Sequence, residues 1–264
     1  MRLRRRHSPD DLRYVQPLGL ALGGGGVLGA AHVGVLQVLK ERGIEPTIVT
    51  GTSAGAAIGA AYAAQMDPYA LADKVVIAKW ENFGTIAKSP GLGVLESAGL
   101  RRTIDLLGGD RLIEDLPVRY GAVATDLLTR ESVLIESGSL ADAVAASIAV
   151  PGLFRPAKAE GRILVDGGLV QNLPIEAAFG MGAQHVIAVR LAPEWDLLPQ
   201  FRTSVEVHEW ELRDDVTLIH PKVGEHSQWV PRDTGELIQL GRVAAEHALD
   251  DYPVIAPGPT RAGP

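Results

Sequence analysis

Apolar residues along this chain fall into short runs broken by glycine, not into long periodic stretches. LGLAL (18–22) is small or apolar throughout and runs into four glycines, which predicts a short strand buried on both faces. Beyond the glycines, Val33, Leu36, Val38 and Leu39 recur at helical spacing, and Gly43 stands where that helix should end. PTIVT (46–50) predicts the second strand, GTSAG a turn, and AAIGAAYAAQM a helix whose small side chains permit close packing. Two strand–turn–helix units within the first 65 residues predict parallel pairing, with ligands held at the carboxyl ends of the strands.

The middle of the chain is less regular. DPYALADKVVIAKW and ESAGLRRTIDLLG predict helices, separated by the glycine-bearing ENFGTIAKSPGLGV. VRYGAVATDLLTRESVLIESG (118–138) predicts a hairpin with its turn near Leu128–Glu131. A small-residue helix follows (SLADAVAASIAV), then the turn PGLFRP, the strand RILV and an acidic turn, DGG, at 166–168. PIEAAFGMG predicts a helix and HVIAVRL a strand. APEWDLLPQFRTSVEVHEWELRD has no clear period and reads as a flap or a packed connection. VTLIHPKV predicts a last strand and DTGELIQLGRVAAEHAL a closing helix. No internal repeat or linker divides the chain, so residues 17–250 are expected to form one domain between a basic tail, 1–16, and a Pro/Gly-rich tail, 251–264.

Composition narrows the function classes. Charged residues make up 22% of the 264 and hydrophobic residues 46%, which is ordinary for a folded globular chain. A net charge of −7 argues against nucleic acid as a partner. The absence of cysteine excludes disulfides, thiolate metal sites and a cysteine nucleophile, and suits a reducing, cytoplasmic setting. MRLRRRH is locally basic, but SPDDLRYVQP follows where the apolar core of a signal peptide would stand. The run reads as a solvated tail, with weak attraction to an anionic membrane surface as the alternative. No stretch reaches the roughly 18 uninterrupted apolar residues of a membrane span, so any membrane association is expected to be peripheral.

Four glycines in a row are costly to order, so something must approach their backbone closely. Gly24, Gly26 and Gly29 satisfy G-x-G-x-x-G, the dinucleotide fingerprint. That fold needs an acidic residue at the end of the second strand, whereas Glu45 precedes that strand and GTSAG follows it. No Gly-Lys-Ser/Thr follows the glycines, which excludes a Walker loop. G-x-S-x-G between a strand and a helix is instead the nucleophile-elbow pattern, with Gly51 and Gly55 flanking Ser53. The helix N-terminus there favours a nascent alkoxide. An acyl-transfer serine also needs amides aimed at the developing oxyanion, and Gly24, Gly25 and Gly26 are placed to supply them.

A general base is less obvious. His7 lies in the tail, His32 is one turn inside a helix, His185 begins a strand, His220 ends one, and His247 lies on the last helix. His208 and His226 fall in loops but have no motif around them. Asp166 is better placed, at a strand's carboxyl end before Gly167 and Gly168, although capping that turn would also account for it.

GGGGVLG, GTSAG and DGG, in this order and spacing, resemble the patatin-like phospholipase family. So do AVATDLLTRESVLIESG, AASIAVPGLFRPAK, LVDGGLVQNLP and GAQHVIAVRL, and the likeness covers roughly residues 18–192, extending to about 250. The resemblance implies an α/β fold, a three-layer α/β/α sandwich with a mainly parallel central sheet. It implies a Ser-Asp dyad without histidine, carried over onto Ser53 and Asp166, and an oxyanion hole at the glycine loop. It implies a lipid ester as substrate (phospholipid, lysophospholipid or acylglycerol), with no metal and no organic cofactor. Leu28 stands where the family commonly has a basic residue, which bears on head-group preference more than on hydrolysis. A soluble carboxylesterase or acyl-thioesterase on the same dyad is the alternative enzyme, and a catalytically idle lipid- or acyl-binding module the alternative class.

Overall fold

The computed structural model describes residues 17–77, 93–95, 111–191, 209–210, 212–223 and 233–250. Its strands are β1 (Leu18–Leu22), β2 (Ile48–Thr52), β3 (Gly93–Leu95), β4 (Arg119–Asp126), β5 (Ser132–Ile135), β6 (Gly152–Phe154), β7 (Ala157–Ala159), β8 (Arg162–Asp166), β9 (His185–Val189) and β10 (Val216–Ile219). Its α-helices are α1 (Ala30–Glu41), α2 (Ala54–Ala63), α3 (Pro68–Ile77), α4 (Leu140–Ser147), α5 (Ile175–Gly180) and α6 (Thr234–Ala248).

The LGLAL strand shows why the layers form. Leu18, Leu20 and Leu22 enter an apolar cluster with Val33 and Leu36 of α1, Ile58 of α2 and Leu237 of α6. Ala21 enters a second cluster with Ile175 and Ala178 of α5. Successive side chains of a strand point to opposite faces, so the large residues serve one helical layer and the small ones let α5 approach closely. At Gly19 an added Cβ would lie 2.8 Å from the Ala183 Cβ. The closing helix α6 crosses α1 at backbone contact, because Gly34 and Gly241 leave no side chain between them. The result is helices on both sides of a mixed sheet, an α/β/α sandwich.

The parallel core runs β10, β9, β1, β2, β4, with Leu20 opposite both Ile187 and Val49, and Val49 opposite Tyr120. β4 and β5 form the expected hairpin, whose turn is held by the Asp126 carboxylate accepting the Leu128 amide at 2.9 Å. Beyond β4 the sheet turns antiparallel through β8 and β7. Val123 of β4 is paired with Thr52 and with Leu134, and Ala124 with Asp166 and with Val133. Since β5 occupies one edge of β4 at both positions, β2 and β8 share the other. They run toward each other along it and both stop there. This register positions the candidate site.

Three boundaries differ from the sequence expectation. The second strand begins and ends two residues later than PTIVT, at Ile48–Thr52, which carries the ladder up to Ser53. The small-residue helix stops at Ser147, and the PGLFRP turn contains β6, whose backbone pairs with β3. Of the unperiodic stretch 192–214, only 209–210 and 212–214 are described, and there Trp210 stacks on Phe179 with ring centroids 5.5 Å apart. The predicted helix ESAGLRRTIDLLG, both tails, His7, His208 and His226 lie outside the described residues.

Candidate active site

Ser53 follows the last residue of β2 and caps α2, with φ 53° and ψ −119°. That left-handed conformation is unfavourable for a residue with a Cβ, and the surroundings enforce it. A Cβ at Gly51 would overlap the Gly55 carbonyl and lie 2.6 Å from the Ala56 backbone. One at Gly55 would overlap the Leu22 carbonyl, and one at Gly29 would lie 2.7 Å from Ala54 Cβ. The turn can therefore be this sharp only with glycine at 51 and 55, and it is wedged against the end of β1 and the glycine loop. Ser53 is 8% exposed, just within reach of solvent.

Asp166 ends β8 and is 1% exposed. Its Oδ1 accepts the Gly168 amide at 2.7 Å, so the aspartate does cap the DGG turn. Its Oδ2 is buried without a partner at hydrogen-bonding geometry among the described residues. Burial pushes the carboxyl up to about 6, partly offset by the Ser53 hydroxyl and by the Gly168 amide. The serine is thus close enough to act on the carboxyl as a donor, while the contact falls short of a full hydrogen bond. Gly167 is required where β2, β4 and β8 converge, since a Cβ there would overlap the Val123 carbonyl and lie 3.1 Å from Thr52 Cγ2.

The glycine loop sits over the same point. Gly23 donates its amide to Val189 (3.0 Å), and Gly24 donates to the Asn172 carbonyl (3.0 Å). The Gly24 amide is therefore committed to the backbone, against the expectation that it faces an oxyanion. A Cβ at Gly24 would lie 3.3 Å from Ser53 Cβ, so this glycine provides clearance beside the serine instead. The Gly25 and Gly26 amides have no partner among the described residues, and Gly26 has φ 54°, a left-handed turn suited to glycine. A 3₁₀ turn, Gly26–Gly29, then leads into α1. Leu28, on that turn, is 1% exposed and belongs to the main core.

Sequence reasoning did not reveal the partners of several supporting groups. His32 Nε2 donates to the Gly23 carbonyl at 2.8 Å, and burial lowers the imidazole to about 4, so it is a neutral brace for the loop. The Thr50 and Thr52 hydroxyls donate to the carbonyls of Pro174 (2.8 Å) and Gln171 (2.9 Å), fastening the segment after DGG to β2. Ser147 accepts the Ser53 amide at 2.8 Å. The partners in these contacts are 9 to 124 residues apart, so no local pattern announces them. His185 is paired with Thr217 Oγ1 at 2.8 Å and begins β9, at the opposite end of the parallel strands from Ser53, which follows the end of β2. No cluster of three potential metal ligands occurs among the described residues.

The Patatin-like phospholipase family model matches residues 20–179, and the chain belongs to that family. It is 38% identical over 180 residues to an NTE family protein of Mycobacterium tuberculosis (strain ATCC 25618 / H37Rv), covering 66% of this chain and 49% of that protein. It is 35% identical over 181 residues to Patatin-like phospholipase domain-containing protein 6 of Homo sapiens, covering 65% of this chain and 13% of that protein. The chain thus spans about half the length of the mycobacterial relative and a small part of the human one. Among solved structures, VipD from Legionella pneumophila shares the fold with a TM-score of 0.66 at 15% identity, over 90% of this chain and 67% of that one.

Proposed function

We propose that this protein is a serine acyl hydrolase that cleaves lipid esters through a Ser53–Asp166 dyad. The observation that carries the reading is the meeting of a strained, barely exposed serine with a buried carboxylate whose second oxygen is unpaired, beneath a loop with two unengaged amides. Asp166 takes the Ser53 proton as the oxygen attacks the ester carbonyl, forming the serine–carbon bond. The tetrahedral oxyanion is held by the Gly25 and Gly26 amides, with Gly24 giving room for the substrate. The intermediate collapses, Asp166 returns the proton to the departing alcohol, and water, deprotonated by the same carboxylate, then releases the acyl group. With the carboxyl at about 6, the base is ionised at neutral pH and still basic enough to work. No step calls for a metal or cofactor.

Membership of the patatin-like phospholipase family and likeness to NTE family proteins support a lipid ester as the substrate. None of the helices among the described residues is long and apolar enough to cross a membrane. A lipid-ester substrate requires access to a lipid surface, and we read the enzyme as a cytoplasmic one that acts there peripherally. The test is labelling by a fluorophosphonate together with hydrolysis of a phospholipid, lysophospholipid and acylglycerol panel. Ser53-dependent labelling and turnover of at least one lipid class are expected. Turnover of soluble esters or thioesters alone would replace lipid with the narrower esterase reading, and no labelling would leave a binding module.

A further inference from the structure

The end of α4 touches both dyad residues through groups that the reaction does not consume. Ser147 is fully buried, and its Oγ accepts the Ser53 amide at 2.8 Å while its hydroxyl donates to the Val123 carbonyl at 2.6 Å. Two residues later, the Ala149 carbonyl accepts the Asp166 amide at 3.0 Å. Val123 stands opposite Thr52, and its neighbour Ala124 opposite Asp166. One short segment therefore grips the backbone of the serine, the backbone of the aspartate and the strand against which both end.

A serine hydroxyl has a single proton. Here the Val123 carbonyl takes it, which turns the lone pairs of Oγ toward the Ser53 amide and fixes which partner donates. The Ser53 amide lies just past the last residue of β2, and Ser147 supplies the acceptor that a buried amide needs. The same bond withholds the Ser53 amide from the oxyanion.

We propose that Ser147 is a positioning residue of this site, whose hydroxyl joins the Ser53 amide to the Val123 carbonyl and so sets the distance between nucleophile and base. The proposal rests on Ser53 and Asp166 being the dyad, so Ser53-dependent turnover of a p-nitrophenyl ester is established first. If wild type lacks it, the reading of the dyad fails and not this inference.

The test is Ser147→Ala, measured per active site titrated with fluorophosphonate, at a temperature where the titrated fraction is constant. The variant leaves two buried groups unpaired, and the serine can shift by a fraction of an ångström. A fall in kcat of about 10- to 100-fold is expected, with KM for the soluble ester changed less than about threefold. The rate of labelling should fall in the same ratio. Wild-type kcat per titrated site, even with a lowered melting temperature, would overturn the proposal, because a residue that only supports the fold changes the number of sites and not their rate. Should Ser147→Ala fail to fold, Ser147→Thr and Ser147→Val make the comparison, since they differ chiefly by the hydroxyl. The threonine variant is expected to exceed the valine variant at least about tenfold in kcat per site, and equal rates would overturn the proposal.

Discussion

Replacing Asp166 with asparagine should destroy activity and, at neutral pH, stabilise the fold. The carboxyl is 1% exposed, and burial raises it from an ordinary 3.8 to about 6. A raised carboxyl means that folding favours the protonated form, so the ionised form present at neutral pH costs stability. The interval from 3.8 to about 6, at about 1.4 kcal/mol per pH unit, corresponds to about 3 kcal/mol. The sign fixes the pH window. Below 3.8 the folded and unfolded chains both carry a neutral Asp166, and wild type and variant should be alike. As pH rises toward 6 the unfolded chain ionises first and wild type loses stability, and above about 7 the full difference is present. Asparagine keeps the oxygen that accepts the Gly168 amide and turns a donor toward Ser53, so about 1–3 kcal/mol should be realised. For a chain of this size that raises Tm by roughly 2–4 °C per kcal/mol. The assay is thermal unfolding of both proteins at pH 4 and pH 8, with ester turnover measured in parallel. Turnover should fall on the order of 10³-fold. A variant no more stable than wild type at pH 8, or equally stabilised at pH 4, would refute the placement of the carboxylate in an unfavourable buried site.

Gly25→Ala should lower kcat by up to about 10²–10³-fold, since its Cβ would meet Leu191 at 3.1 and 3.2 Å and tilt a free amide; rates on a soluble ester check this. Leu28→Arg should lower Tm and the yield of folded protein, because the leucine is fully buried in the core and the arginine would carry charge into it; a folded variant with unchanged melting would show that position 28 opens to solvent. His208→Ala and His226→Ala should each keep most activity, and a loss on the order of 10³-fold with folding preserved would reveal a histidine base.

How far the site was legible follows from how local each part is. Ser53 was readable because GTSAG sits between an apolar strand and an alanine-rich helix, and every glycine needed for the sharp turn lies within a few residues. Asp166 was readable as the end of a strand before two glycines. The reason it meets Ser53 was not readable, because β8 runs antiparallel along the edge that β2 vacates, a matter of register with β4 alone. Gly24 was expected to serve an oxyanion, yet its amide goes to the carbonyl of Asn172, a partner no spacing could reveal. Ser147 looked like one more small residue in AASIAV. Its importance comes from an amide 94 residues away. The unbroken small and apolar run LGLAL showed a strand buried on both faces, but which helices cover which face was not readable: α1, α2 and α6 pack on the leucine side and α5 on the other.

The rate of fluorophosphonate labelling as a function of pH, with the modified residue located by peptide mass spectrometry, tests the dyad most directly. A single adduct on Ser53 is expected, with a rate that rises with pH and is half-maximal near 6, and with loss of both rate and inflection in Asp166→Asn. An adduct at another residue, or an inflection that survives Asp166→Asn, would contradict the dyad.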